Sequence, residues 1–248
     1  MTARLRTALV ALLAGVFLGL TPAHGADDLT AQQKQQLEKL VRELLITKPE
    51  IVIEALEVYQ RRQQAAKELR TRQALAANWE EVHRNPDSPV AGNPKGDVSL
   101  VEFFDYQCGY CKSVVDRVAD TVARDQNIRW VFKEFPILGP VSVYAARAAL
   151  AAHSQGKYQE FHLALMRSRG RLVESKVMRI AANTGLDLER LRQDMDAPEI
   201  TAMLQQNLRL AKALGVNGTP AFVIGDVLIP GAIDAATLQQ LIANARGS

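Results

Sequence analysis

The two cysteines of the chain lie three residues apart, in the tetrapeptide Cys108-Gly109-Tyr110-Cys111. An apolar run rich in β-forming residues, 98–106, precedes them, and a helical pattern begins near Lys112. Cysteines at this spacing on the first turn of a helix are close enough to form a disulfide. The unpaired N–H groups of a helix start stabilise a thiolate, which is the reactive form of cysteine. The pattern therefore predicts thiol–disulfide exchange, in which a dithiol passes electrons to other disulfides.

Two other uses of the cysteine pair remain open at this stage. A structural zinc site needs four ligands, and the sequence has neither a second cysteine pair nor a suitably spaced histidine pair. A purely structural disulfide across two residues would close a very short loop and stabilise the fold little. We expect redox chemistry instead, with no metal and no cofactor.

The first 25 residues have the pattern of a secretory signal peptide. Arg4 and Arg6 form a basic start, an apolar run covers 8–20, and Ala23-His24-Gly25 supplies small residues for cleavage near Gly25. The apolar run is shorter than a bilayer-spanning helix needs, although a retained N-terminal anchor is the alternative. We therefore expect an exported, periplasmic protein, in a compartment where disulfides persist.

The charge of the chain argues against a nucleic-acid partner. The formal net charge is +3, and removal of the two arginines of the signal would leave +1. No basic cluster is interleaved with aromatic residues, as nucleic-acid-binding surfaces often are.

Residues 26–85 read as an N-terminal helical element, because 27–84 contain no glycine and a single proline. Thr30 to Gln33 and Thr47 to Glu50 each match a capping box, so we expect two helices with a turn between them. Apolar residues from Leu37 to Tyr59 follow helical spacing. This stripe must be covered either by the rest of the chain or by other copies of itself, and we favour self-association.

A proline-containing linker at 85–89 leads into a second domain, 88–248. Its pattern is α/β: a strand, a helix and a strand, a helical stretch at about 140–215, then two strands and a last helix that Asp234 caps. Gly225-Asp226 lies between the last two strands and predicts a tight hairpin.

The run from Glu102 to Cys111, the helical stretch and the segment 218–222 with its Thr219-Pro220 pair together resemble the DsbA family of thiol–disulfide oxidoreductases. More narrowly, the chain resembles the ScsC- and Com1-like branch, whose members have an N-terminal helical extension. The resemblance covers residues 29–245. It implies a thioredoxin fold with an inserted helical subdomain, and it makes a trimer the favoured oligomer.

The position of each residue predicts its role. Cys108 is the nucleophile, because it lies at the more exposed N-terminal end of the motif, and Cys111 is the resolving thiol. Glu102 lies six residues before Cys108, on a strand that should be buried. A buried carboxyl there would have a raised pKa and could carry the proton of Cys111. The alternative is a glutamate at the strand end that reaches solvent.

The resemblance assigns the remaining site residues. Thr219-Pro220 matches the cis-proline loop, which packs against the cysteines and pairs with an extended client segment. A threonine hydroxyl at this position could also donate to the facing sulfur. Gly109 and Tyr110 lack the histidine of strongly oxidising DsbA-type sites and are similar to the pair in DsbC-like isomerases.

The leading functional hypothesis is therefore a disulfide isomerase or reductase that acts on exported proteins with cysteines and has a membrane redox partner. A DsbA-like dithiol oxidase is the first alternative. The second is a copper-stress protein that binds Cu(I) through the dithiol, a soft ligand pair suited to this ion.

Overall fold

The structure is a computed structural model that describes residues 29–247. The predicted signal peptide and its expected cleavage near Gly25 therefore lie outside the described residues. The chain divides into two compact units, one up to Gln60 and the other from Arg61 onward.

The first unit contains helix α1, Ala31–Thr47, and the beginning of helix α2, Glu50–Ala77. The capping box at its start is confirmed, since Thr30 Oγ1 accepts from the Gln33 N–H and Gln33 Oε1 accepts from the Thr30 N–H. The prediction of a second capping box at Thr47 to Glu50 is wrong. Thr47 is the last residue of α1 and its hydroxyl donates backward to the Glu43 carbonyl at 2.8 Å, although the chain does turn and restart at Lys48 and Pro49 as expected.

The apolar stripe of this unit is exposed along its whole length. Every residue from 29 to 60 is solvent-exposed in the described chain. Leu40, for example, is 65% exposed and Ile46 71% exposed.

The second unit contains a five-stranded sheet with the order β1-β3-β2-β4-β5. Its strands are β1, Val90–Gly92; β2, Val98–Phe104; β3, Ile128–Glu134; β4, Ala221–Ile224; and β5, Val227–Pro230. Strands β2 and β3 are parallel and are joined by helix α4, Gly109–Asp125, which confirms the βαβ unit. Strands β4 and β5 form the expected hairpin, with Ile224 opposite Val227.

Alternate residues of the central strands face two separate cores. Leu100 and Phe104 of β2 pack with α4 and with the inserted helices on one face of the sheet. Val101 and Phe103 face the opposite side, where they join a second cluster that includes Leu75. This period-two alternation is what a sheet covered on both faces requires.

The stretch between β3 and β4 is mostly helical. Its helices are α5, Pro140–His153; α6, Tyr158–Arg167; α7, Glu174–Asn183; α8, Leu188–Met195; and α9, Pro198–Leu214. The chain ends in α10, Ala235–Arg246, where the Asp234 side chain accepts from the Thr237 N–H and caps the helix. Within residues 29–247, none of the helices is long and apolar enough to cross a bilayer.

Two short elements were not predicted. One is strand β1, which pairs antiparallel with β3 at the edge of the sheet. The other is helix α3, Trp79–His83, in which Val82 and His83 are buried against the second core. The polar sequence around α3 gave no indication that this turn belongs to the redox domain.

Candidate active site

The two cysteines occupy the beginning of α4. Cys108 is the N-cap residue, and its Sγ accepts a hydrogen bond from the Cys111 N–H at 3.4 Å. A sulfur in this position faces the free N–H groups of the helix start, which favour a negative charge. Cys108 is 6% exposed and Cys111 is 0% exposed. Cys108 is therefore the more accessible of the two sulfurs, and its assignment as the nucleophile stays a prediction.

Cys111 lies in an environment that keeps it protonated. Burial raises the pKa of its thiol far above the ordinary value, and the nearby carboxyl of Glu102 raises it further. A resolving thiol of this kind needs a base before it can attack a mixed disulfide.

Glu102 lies on β2 and is 1% exposed, so the alternative of a solvent-facing glutamate does not apply. Burial raises the pKa of Glu102 to about 8, and this rise is partly opposed by the hydrogen bond that Trp130 Nε1 donates to Glu102 Oε2 at 3.1 Å. A carboxyl with this pKa exchanges a proton near neutral pH, which is the property that a general acid and base requires.

The cis-proline loop lies directly against Cys108. The Thr219–Pro220 peptide bond is cis, as the resemblance implied. The Cys108 thiol donates to the main-chain oxygen of Thr219 at 3.2 Å. This contact differs from the expected one, because the carbonyl rather than the hydroxyl of Thr219 faces the sulfur.

The dipeptide between the cysteines points outward. The Tyr110 side chain is 71% exposed, and the space around the Gly109 α-carbon is open. Both residues are therefore accessible to a client that reaches Cys108.

Asp105, for which the sequence predicts no role, fixes the loop before the cysteines. Asp105 is buried, and its Oδ1 accepts from the Gln107 N–H and the Ser142 hydroxyl, both at 2.7 Å. Its Oδ2 accepts from the N–H groups of Ile137 and Leu138, both at 2.9 Å. Four donors on one carboxylate tie the active-site loop to the segment between β3 and α5. In the sequence, the one local sign of this role is an aspartate three residues before the N-cap, because aspartate in such a position can form an Asx turn.

A second buried carboxyl lies behind this loop. Glu134 Oε1 accepts from the hydroxyls of Tyr106 and Tyr158, at 2.8 and 2.7 Å. Tyr106 is also 3.1 Å from Nδ1 of His162. Burial raises the pKa of Glu134 and lowers the pKa of His162 to about 3, so both side chains favour their neutral forms. His162 is completely buried.

Comparison with known proteins identifies the family of this chain. A family model described as the DSBA-like thioredoxin domain matches residues 99–243, more than half of the chain. The chain belongs to the DSBA-like thioredoxin family. A second model, described as the copper resistance protein ScsC N-terminal domain, matches residues 33–66.

Solved structures of thiol–disulfide oxidoreductases have the same fold as this DSBA-like chain. A thioredoxin-like oxidoreductase from Silicibacter pomeroyi is 50% identical, with a TM-score of 0.67 over 68% of this chain and 98% of that one. Proteus mirabilis ScsC in a transitional conformation is 29% identical, with a TM-score of 0.66 over 88% and 99% of the two chains. A periplasmic thioredoxin-like protein from Salmonella enterica serovar Typhimurium is 29% identical, with a TM-score of 0.62 over 68% and 95%.

The curated relatives are much longer proteins. A Na⁺/H⁺ antiporter NhaA from Herminiimonas arsenicoxydans is 29% identical over 161 residues, which cover 64% of this chain. The chain spans about a quarter of the length of the curated relatives it matches.

A cavity of about 650 Å³ lies beside the cis-proline loop of this DSBA-like domain. One wall is the loop at 215–221, and another is the β4–β5 hairpin. The third wall is one face of α2, which contributes Lys67, Glu68 and Arg72. The volume is that of a site for a few residues of extended peptide or a small molecule.

Proposed function

We propose that this protein is a periplasmic disulfide isomerase or reductase that acts on exported proteins with cysteines. The observation that carries the proposal is the exposed apolar stripe on α1 and the beginning of α2, within the same chain as a buried redox pair. A periplasmic location is supported by the predicted signal peptide and by the similarity to a periplasmic thioredoxin-like protein.

The chemistry follows from the positions of the two sulfurs. The Cys108 thiolate attacks one sulfur of a client disulfide, so that a mixed disulfide forms and the other client sulfur leaves as a thiolate. In isomerisation that thiolate attacks a different disulfide of the client, and the last exchange returns Cys108 to its reduced form. In reduction Cys111 loses its proton to Glu102 and attacks Cys108, which releases the client with two added electrons and leaves the protein oxidised.

Client binding is assigned to the groove around the cis-proline loop. An extended client segment would add to the main chain at Thr219 and Pro220, which makes binding tolerant of sequence. Gly109 and Tyr110 leave the approach to Cys108 open, and the adjoining cavity would take the flanking client residues.

Self-association explains why an isomerase would need the N-terminal helices. A misfolded client must be held while two bonds are exchanged, and several active sites around one space favour this. The stripe at 37–59 provides a surface for a homo-oligomer, with a trimer favoured. Once oxidised, the protein needs electrons from a membrane redox partner before it can act again.

The test compares the mature chain with a variant that lacks residues 26–60. The cut lies at the boundary of the compact units because Val82 and His83 of α3 pack in the redox domain, and the Lys133 ammonium donates to the Glu81 carbonyl at 2.7 Å. Light scattering should give an oligomer for the mature chain and a monomer for the variant. Refolding of scrambled ribonuclease should be mostly lost in the variant, whereas insulin reduction should persist.

A monomeric mature chain would refute the oligomer and leave the stripe without its proposed role. Equal ribonuclease refolding by both proteins would refute the link between the helices and isomerisation. An active site that oxidises reduced ribonuclease faster than it repairs the scrambled form would favour the oxidase instead.

Copper handling is a second candidate, because the matched N-terminal model is described as that of a copper resistance protein. A reduced pair of thiolates binds Cu(I) through soft sulfur ligands. Titration of the reduced protein with Cu(I) against a competing chelator tests this, with Cys108→Ser as the matched control. Copper binding that is unchanged in the control would rule out the dithiol as the ligand.

A further inference from the structure

Beside the redox pair, the structure holds a basic segment that the mechanism above does not use. Residues 167–179, here called the basic segment, contain five cations and one acid, Glu174. Their formal charge of +4 exceeds the +3 of the whole chain, so the remainder of the chain is close to neutral. Its cations are Arg167, Arg169, Arg171, Lys176 and Arg179.

The basic segment is attached to the helix that carries the cysteines. Lys112 Nζ donates to the Ser168 carbonyl at 2.8 Å, and Arg167 pairs with Asp116 at 2.7 Å. Cys108, Lys112 and Asp116 follow one another at intervals of four residues, so they lie on one face of α4. The attachment therefore begins about 6 Å along the helix axis from the nucleophilic sulfur.

The tip of the basic segment is held in place rather than left free. Leu172 is buried on one side of the tip, and Lys176 Nζ donates to the carbonyl of Arg169 on the other. Gly170, with a φ of 71°, makes the reversal between Arg169 and Arg171. Because the backbone of the tip is held in place, binding costs less backbone entropy than it would on a flexible loop.

The charges at this tip are not neutralised within the described chain. Arg169 and Arg171 are exposed, and neither has a salt bridge or a side-chain hydrogen bond to any residue between 29 and 247. Asp116 is engaged by Arg167, which leaves Glu174 as the acid within the segment. The tip therefore presents positive charge that no side chain of the described residues neutralises.

We propose that the basic segment recognises acidic residues close to the reacting cysteine of a client. This inference rests on the thiol–disulfide exchange proposed above and adds a preference among clients. An extended peptide advances about 3.3 Å per residue, so acids about two to five positions from the client cysteine would reach the tip. Opposite charges increase the encounter rate at Cys108, and salt weakens the effect.

The test uses three cysteine peptides, each joined by a disulfide to the same chromogenic thiol. One carries aspartates three and four positions from the cysteine, one carries lysines there, and one carries serines. The reduced protein attacks the peptide sulfur and releases the chromogenic thiolate, whose absorbance gives the rate. We expect the aspartate peptide to react about tenfold faster than the lysine peptide at 0.01 M salt, and about equally fast at 1 M.

The decisive variant is Arg169→Glu/Arg171→Glu, which should prefer the lysine peptide. The matched control is Lys95→Glu/Arg124→Glu, which makes the same change in net charge at two exposed residues, Arg124 in the last turn of α4 and Lys95 in the loop between β1 and β2. The control should keep the wild-type preference. Arg169→Gln/Arg171→Gln should remove the preference without reversing it.

The serine peptide separates the possible failures. If wild type and variants react equally with it, the fold and the redox pair are intact in all of them. No reaction with any peptide would refute thiol–disulfide exchange itself. Equal rates for the aspartate and lysine peptides at low salt would refute only the recognition by the basic segment.

An anionic membrane surface is the competing partner for such a segment. Co-sedimentation with vesicles of phosphatidylglycerol and phosphatidylcholine tests it. Binding that the Arg169→Glu/Arg171→Glu variant loses, together with no peptide preference, would overturn the proposal in favour of a lipid surface. A peptide preference without vesicle binding supports it.

Discussion

Replacement of Glu102 by glutamine should change how the stability of the protein depends on pH. Glu102 is buried beside the resolving thiol, and burial raises its pKa from the ordinary 4.5 to about 8. Glutamine has almost the same shape, cannot be ionised, and can still accept from Trp130 Nε1. The variant therefore removes the titration while it retains the packing.

The magnitude follows from proton linkage. Between pH 4.5 and 8 the folded protein holds a proton on Glu102 that the unfolded chain has lost, so this group contributes less stability as pH rises. One pKa unit corresponds to about 1.4 kcal/mol, so the loss between pH 5 and pH 8 is about 4 kcal/mol at most. Above pH 8 the folded protein also loses the proton, and the effect levels off.

Urea denaturation of the reduced proteins between pH 5 and pH 9 measures the effect. Relative to wild type, Glu102→Gln should gain several kcal/mol in free energy of unfolding as pH rises to 8. The matched control, Glu160→Gln, changes an exposed glutamate of α6 and should follow wild type at every pH. Glu134 also has a raised pKa, chiefly because of burial, which all three proteins share; the charge of Glu102 contributes less to it.

The same variant should slow the step in which Cys111 attacks the mixed disulfide. Loss of a positioned general base typically costs about 100-fold or more, and this cost should appear only in release of the trapped client. If the stability difference between variant and wild type is constant within about 1 kcal/mol from pH 5 to 9, Glu102 does not hold a proton in the folded protein. If client release is unaffected, Glu102 is not the base.

Three further changes test the rest of the site. Cys111→Ser should accumulate mixed disulfides through Cys108, and Cys108→Ser should accumulate none, as read on non-reducing gels; capture through Cys111 would reverse the roles. Thr219→Val should leave the reduction potential within about 30 mV of wild type, which corresponds to about 1.4 kcal/mol. The reason is that the main-chain oxygen of residue 219 contacts Cys108 and remains in the variant. A larger shift would show that the hydroxyl takes part. Asp105→Asn should lower the free energy of unfolding by about 3 kcal/mol or more, because it places an amide donor against N–H donors. Ser142→Ala removes one donor of four and should lower it by about 1 kcal/mol. Equal losses for the two variants in urea denaturation would contradict the four-donor clamp.

The sequence predicted the elements whose signals are local. The Cys108 to Cys111 spacing at a helix start, the apolar run that forms β2 and the glycine of the β4–β5 hairpin each depend on neighbouring residues, and each is found where expected. Glycines and a proline separate the helices between β3 and β4, and these too are local signals.

The parts that were missed depend on contacts between distant segments. Asp105 is bound by groups more than 30 residues away, and nothing near it in the sequence indicates those partners. Helix α3 is polar in sequence, yet Val82 and His83 are buried because the Lys133 and Arg129 side chains on β3 bind their segment. The position of the basic segment beside Cys108 likewise follows from Lys112, which no periodicity could reveal.

The three buried carboxyls around the active site differ in the number of donors they receive, and this difference separates their functions. Asp105 accepts from four donors, which make it a clamp between the active-site loop and distant segments. Glu134 accepts two phenol hydroxyls and joins the loop at Tyr106 to the inserted helices. Glu102 accepts one bond, from Trp130, which is too little to hold a buried negative charge. We therefore propose Glu102 as the carboxyl that gains and loses a proton during the reaction, and its charge also acts on the Cys111 thiol.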